Sequence, residues 1–141
     1  MRADEIVEAL AMQRHPEGGW FTEKFRDSSG IERGHSTAIY YLLMAGEKSH
    51  WHRVRDAAEV WHYYAGAPLA LHSSRDGVSF ETIVLGAEIL RGERPQAVIP
   101  ASCWQAAESL GDYTLVGCTV APGFEFTAFE MAPPDWTPGN S

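Results

Sequence analysis

The sequence predicts an all-β domain, a barrel or sandwich of short strands, preceded by one short helix. Three observations carry this. Short runs rich in β-branched, aromatic and large apolar residues recur at near-even spacing. Nearly every run is bounded by Gly, Pro, Asp or Ser, the residues that turn a chain. Helical periodicity is confined to the beginning, so the helix–strand alternation of an α/β fold is missing.

Taken in order, residues 4–14 predict the helix. Ile6, Val7, Leu10 and Ala11 fall at helical spacing, and Asp4 and Glu5 sit at the end where the helix dipole favours acids. His15-Pro16-Glu17-Gly18-Gly19 stops it, because proline disfavours helix in the residue before it and paired glycines permit unusual backbone angles. Strands are expected over residues 20–26, 37–45, 60–65, 68–72, 80–85, 97–99, 113–119 and 124–130. Ser28-Ser29-Gly30, Asp76-Gly77, Gly111-Asp112 and Pro122-Gly123 supply turns, and Arg75-Asp76-Gly77-Val78 is the strongest hairpin signal. The tail from Pro133 is irregular, with Trp136 able to pin part of it to the body.

Whole-chain properties narrow the function. A chain of 141 residues is one domain, read here as spanning 1–141, and its 45% apolar and 21% charged content is ordinary for a folded protein. A net charge of -8 opposes nucleic acid and anionic membrane surfaces as partners, and the 11 basic residues form no cluster to offset it. An anionic small ligand inside a pocket stays compatible. Cys103 and Cys118 are too few for a disulfide scaffold and lack zinc spacing, so both are expected as reduced, buried thiols. The first residues are too charged for a leader, and no apolar run approaches the ~20 residues of a membrane span. The expected location is cytoplasmic.

The segment Gly46 to Gly66 holds the densest chemistry. Alternate residues of a strand share a face, so His50 and His52 are expected to point together. By the same rule Glu59, Trp61 and Tyr63 share one face, and Val60, His62 and Tyr64 the other. If the Glu59 face is interior, a carboxylate meets two imidazoles in an aromatic-lined cavity, a set that ligates metal or handles protons. His62 reads as a core or interface residue. Trp61 and Tyr63 read as pocket wall or as core. The His15–Gly19 stretch reads as a turn rather than a phosphate cradle, with Glu17 able to reach the cavity mouth. Arg26, Arg53 and Arg55 read as exposed unless they meet an anionic ligand. Neither a nucleophile elbow nor an activated thiol is in evidence.

These residues resemble a known family. Gly46, His50, His52, Glu59 and Gly66 are similar to the first cupin motif, and Glu59 and Gly66 keep its six intervening residues. Pro100-Ala101-Ser102-Cys103-Trp104-Gln105 resembles the second motif. HPEGGWFTEKFR, STAIYYLL with SHWHRV, EVWHYYAGAPL, and VIPASCWQA with LVGCTVAPGFEF resemble the cupin 5 subfamily over most of the chain. Three departures stand out. Six residues separate His52 from Glu59, more than the general motif has, Ser102 replaces a glycine, and Gln105 replaces the last histidine.

The resemblance implies a double-stranded β-helix, the cupin jelly-roll barrel, and a homodimer. It implies a small-molecule ligand, with sugar or sugar-nucleotide epimerases and isomerases among the relatives. His52 would be the base, oriented by Glu59, and Tyr63 the acid. Trp61, Gln105, Tyr40 and Glu17 are the expected ligand-binding residues. A metal-assisted version would hold a divalent transition metal on His50, His52, Glu59 and Gln105. The alternative is a non-catalytic ligand-binding or storage-type barrel.

Overall fold

In the computed structural model, which describes residues 1–27 and 33–139, the chain opens with helix α1 (Ala3–Ala9). The described strands follow as β1 (Gln13–Arg14), β2 (Trp20–Arg26), β3 (Thr37–Met44), β4 (Lys48–Val54), β5 (Ala58–Gly66) and β6 (Leu69–Ser74). They continue as β7 (Glu81–Leu85), β8 (Gln96–Ile99), β9 (Trp104–Ser109), β10 (Tyr113–Ala121) and β11 (Phe129–Met131). One sheet has the order β1-β2-β3-β10-β5-β8 and the other β11-β4-β9-β6-β7. From β3 onward the chain mostly crosses from one sheet to the other at each strand. This crossing is the double-stranded β-helix, and its ladders between named strands are antiparallel.

The barrel is solid at one end and hollow at the other. Tyr41, Leu43, Trp61, Leu69, Leu71 and Val116 fill the solid end. Along β3, β5 and β10 the inward positions then change character. Thr37 and Ile39, Glu59, and Cys118 and Val120 line a cavity instead. Helix α1 and the residues after it cover the outer face of β3, packing Ile6 of the helix and Met12 beyond it on Leu42.

Several boundaries differ from the sequence reading. The helix ends at Ala9 rather than at residue 14, because Gln13 and Arg14 pair with Phe21 and Trp20 in a hairpin. The Arg14 guanidinium also lies over the Trp20 ring, 4.9 Å from its centroid. Of the strand expected over 124–130, only its end is extended, within β11. The preceding residues turn instead, with the Ala128 and Phe129 amides donating to the Glu125 and Phe126 carbonyls. β9 was not among the expected runs, and β4 was expected only as the strand that carries His50 and His52, since their polar and alanine-rich sequences lack the β-branched signature.

Asp76-Gly77 does join β6 to β7, with the Asp76 carboxylate accepting from the Val78 and Ser79 amides at 2.8 and 3.0 Å. Trp136 pins the tail, its ring 4.9 Å from Trp104 and 6.0 Å from Trp51. The turn expected at Ser28-Ser29-Gly30 lies outside the described residues.

Candidate active site

The loop between β1 and β2 carries the first functional side chain inward. Gly18 has φ +111, and a Cβ there would lie 2.1 Å from the Lys48 carbonyl oxygen, so only glycine fits. The His50 amide donates to the Glu17 carbonyl at 2.8 Å, and the buried Tyr41 hydroxyl donates to the Gly18 carbonyl at 2.5 Å. The loop is thereby tied to β3 and β4, and the Glu17 side chain points into the barrel with 9% exposure. Its Oε2 accepts a short hydrogen bond from the Ser49 hydroxyl.

β4 delivers the second group. Between Ser49 and His52 its pairing with β9 shifts register by one residue, a β-bulge. Simple alternation therefore fails, and Ser49 and His52 both face inward. The His50 ring turns away and donates from Nε2 to the Pro133 carbonyl at 2.9 Å, outside the barrel. His50 serves the site through its backbone instead, because its carbonyl accepts from His52 Nδ1 at 2.7 Å. A carbonyl only accepts, so Nδ1 carries the hydrogen and the neutral ring leaves Nε2 bare. That Nε2 lies 3.3 Å from Glu17 Oε2.

Glu59 on β5 completes the floor. Gln105 Nε2 donates to Glu59 Oε1 at 2.8 Å, and Gln105 Oε1 accepts from Trp61 Nε1 at 2.7 Å. The indole can only donate, which fixes the orientation of the Gln105 amide. The Cys118 thiol also bonds to Glu59.

Above this floor opens a cavity of about 620 Å³. Phe21, Phe124, Phe126 and Phe129 form an aromatic wall, and Glu23, Arg26 and Glu125 stand at the mouth. Arg26 is the lining cation among the described residues, and it is already engaged. Its guanidinium donates to the Arg33 and Phe124 carbonyls at 2.7 and 2.8 Å and to Glu23 at 2.8 Å. Arg53 and Arg55 lie outside, both on Glu130.

Burial sets the protonation of this cluster. It pushes the Glu17 carboxyl up to about 8, against the Ser49 hydrogen bond. Glu59 is raised to about 7, first by burial and then by the charge of Glu17, with His52 and Gln105 opposing. Burial pulls His15 down to about 3, helped by His52, and lowers His52 as well. Near neutral pH both imidazoles are neutral and Glu17 holds a proton.

Comparison with known proteins places the chain. The family described as Cupin superfamily (DUF985) matches residues 4–132. The chain belongs to this family. Protein SO0799 from Shewanella oneidensis has a similar crystal structure, at 35% identity and TM-score 0.89 over 94% of this chain and 85% of that one. A hypothetical protein from Leishmania major is similar at 29% identity and TM-score 0.85, covering 94% and 88% of the two chains. Lactobacillus farciminis oxalate decarboxylase shares the fold alone, at 10% identity and TM-score 0.63 over 89% of this chain and 34% of that one. No curated protein matches.

The structure of this cupin gathers some of the expected site residues and separates others. Glu17, His52 and Glu59 come together on the cavity floor. Gln105 and Trp61 stand behind Glu59 as its buried support, not as cavity wall. Tyr63 is displaced from the role of pocket acid, because its hydroxyl donates to the Gly66 carbonyl at 2.6 Å away from the cavity. Tyr40 faces outward beneath α1, with its ring 6.0 Å from Tyr64. Inward and outward parity on β3 gives the interior position to Tyr41 instead.

The cupin metal set does not fit this chain. The His50 ring is outside the barrel, and the Gln105 oxygen is taken by Trp61. Among the described residues no group of three or more His, Cys, Asp or Glu could hold a metal ion.

The sequence reading missed His15, Ser49, Tyr41, Cys118 and the phenylalanine wall. Phe124, Phe126 and Phe129 were visible, but the run from Phe124 to Glu130 reads as a strand. Ser49 was hidden by the bulge.

Proposed function

We propose that this cupin is a small-molecule isomerase, working by acid–base chemistry on a neutral, carbohydrate-like ligand in the hollow end of the barrel. The observation that carries the reading is the contact between the buried Glu17 carboxyl and the bare Nε2 of His52. An acid raised to about 8 by burial stands against an imidazole that burial keeps neutral, so a proton donor and a proton acceptor are in contact. His52 keeps the role of base, and Glu17 takes the role of acid in place of Tyr63. Because the two touch, they address one side of a ligand. That suits proton transfer between neighbouring atoms, as in isomerisation, better than epimerisation, which needs groups on opposite faces.

The cavity supports the ligand class. Its volume suits a small ligand, and its aromatic wall suits the apolar face of a sugar ring. With Arg26 engaged and glutamates at both floor and mouth, nothing among the described lining residues favours a phosphate. An unphosphorylated sugar therefore fits better than a sugar nucleotide. The homodimer implied by family resemblance is part of the proposal, to be checked by light scattering.

The test is proton NMR of a panel of aldoses and ketoses incubated with the protein in D₂O. Deuterium is expected at the carbon beside the carbonyl, and Glu17→Gln is expected to slow its entry roughly 10²–10⁴-fold. One observation favours the second reading, a ligand-binding barrel: Glu59 already bonds to Gln105 and Cys118. Saturable binding of a sugar with no deuterium entry would establish that reading in place of the first.

A further inference from the structure

We infer that His15 is a second catalytic imidazole, the hydrogen-bond donor that polarises a ligand carbonyl, and that the ligand is an α-hydroxy aldehyde or ketone. The inference rests on the proposed isomerase reading and deepens it. His15 Nδ1 lies 3.1 Å from the backbone nitrogen of Glu17, which can only donate. Nδ1 is therefore an acceptor, and the hydrogen of the neutral ring sits on Nε2. The side chain is 4% exposed and held among Phe21, Tyr41, Phe126 and Phe129. Yet Nε2 has no hydrogen-bond partner among the described residues and is not sealed from open space. The ring lines the cavity, and Nε2–H is the one polar hydrogen of the neutral ring left for a ligand there.

His52 is fixed in the opposite tautomer by the His50 carbonyl. The cavity thus presents one N–H donor and one bare ring nitrogen, with Glu17 between them. Glu17 Oε1 is 3.2 Å from His15 Nδ1 and Oε2 is 3.3 Å from His52 Nε2. The His15 Nδ1 lone pair already takes the Glu17 amide hydrogen, and the bare lone pair of His52 Nε2 facing Oε2 favours the protonated carboxyl over the carboxylate.

These three groups match one chemistry. His15 Nε2–H bonds to the carbonyl oxygen of the ligand. His52 Nε2 takes the proton from the neighbouring hydroxyl-bearing carbon. The C–H electron pair forms a C=C bond, and the carbonyl π pair moves to oxygen, which takes the Glu17 proton. The product of this half is an enediol. Glu17, now a carboxylate, removes the proton of the other hydroxyl, a carbonyl forms there, and His52 returns its proton to the original carbonyl carbon. Proton count and electron count are unchanged, and no redox partner is needed. A neutral imidazole is suited to this donor role, since it polarises without first having to lose a charge.

The deciding experiment needs no ligand. Long-range ¹H–¹⁵N correlation on ¹⁵N-labelled full-length protein at neutral pH reads which ring nitrogen of each histidine is bare. Expected are a bare Nδ1 and protonated Nε2 for His15, with the reverse for His52. A protonated Nδ1 on His15, or two averaged tautomers, overturns the inference whatever the activity proves to be. Deuterium entry into aldoses and ketoses supplies the second readout. His15→Phe keeps the ring and removes the donor, and is expected to slow entry roughly 10²-fold. His15→Asn, which restores an N–H donor, is expected to recover part of it. Wild-type rates retained in His15→Phe overturn the role of donor. No deuterium entry with the wild-type protein overturns the isomerase reading and the catalytic role of His15 together, and leaves the measured tautomers standing.

Discussion

Glu17 is the residue on which the site turns, and its burial links stability to pH. Its carboxyl is raised from 4.5 to about 8, and that of Glu59 from 4.5 to about 7. The folded protein therefore binds more protons than the unfolded chain across this window. The stability from these groups is complete below 4.5 and is lost as pH rises through the folded values. His15, lowered from 6.5 to about 3, acts in the opposite sense between those values. Above 6.5 the carboxylates act alone, so thermal melts should show the unfolding midpoint falling as pH is raised from 6.5 through about 8. Glu17→Gln, which cannot ionise, should flatten that fall and leave the variant the more stable protein at the alkaline end. Gln105 allows a separate check. Gln105→Leu strands the Trp61 indole and removes a donor from Glu59, each a buried group left without its bond. Urea unfolding should show a loss of about 1–3 kcal/mol.

At the scale of elements, the bulge in β4 and the loop between β1 and β2 decide which side chains meet. The period-two pattern of Glu59 and Trp61 was legible because β5 is regular across that stretch. The same rule failed one strand earlier. A single extra residue between Ser49 and His52 reverses the face of everything before it, and sent the His50 ring outside. No residue in Ser49-His50-Trp51-His52 announces a bulge, which arises from pairing with β9. The Glu17 loop was legible as a turn, since Pro16 and Gly18-Gly19 allow little else. Its direction was not, because that depends on the Lys48 carbonyl and the Tyr41 hydroxyl, distant in sequence. Gly18→Ala tests this element. It forces a side chain into a positive φ and against the Lys48 carbonyl, so it should destabilise by more than about 1 kcal/mol in urea unfolding. It should also abolish deuterium exchange, because Glu17 moves with the loop.

Across the whole molecule, the same two sheets make a packed core and a hollow chamber. The all-β class and most strands were legible from composition and punctuation, which report on burial, and the choice of barrel over sandwich came from the family resemblance. The chamber was not, because emptiness is a property of how sheets diverge rather than of any one residue. Its aromatic rim is half exposed, with Phe126 at 53%, so changes there should touch ligand affinity more than stability. Phe126→Ser should weaken sugar binding in calorimetry while moving the thermal midpoint little. None of the described helices is long and apolar enough to cross a membrane.

The proposed chemistry needs a proton kept on a buried carboxyl beside a bare imidazole near neutral pH. The most direct measurement is a ¹³C NMR titration of the side-chain carboxyls in glutamate-labelled protein, with Glu17→Gln and Glu59→Gln for assignment. The Glu17 and Glu59 resonances are expected to titrate near 8 and 7. Midpoints for both at the ordinary 4.5 would show two plain carboxylates facing the cavity, and would contradict that chemistry.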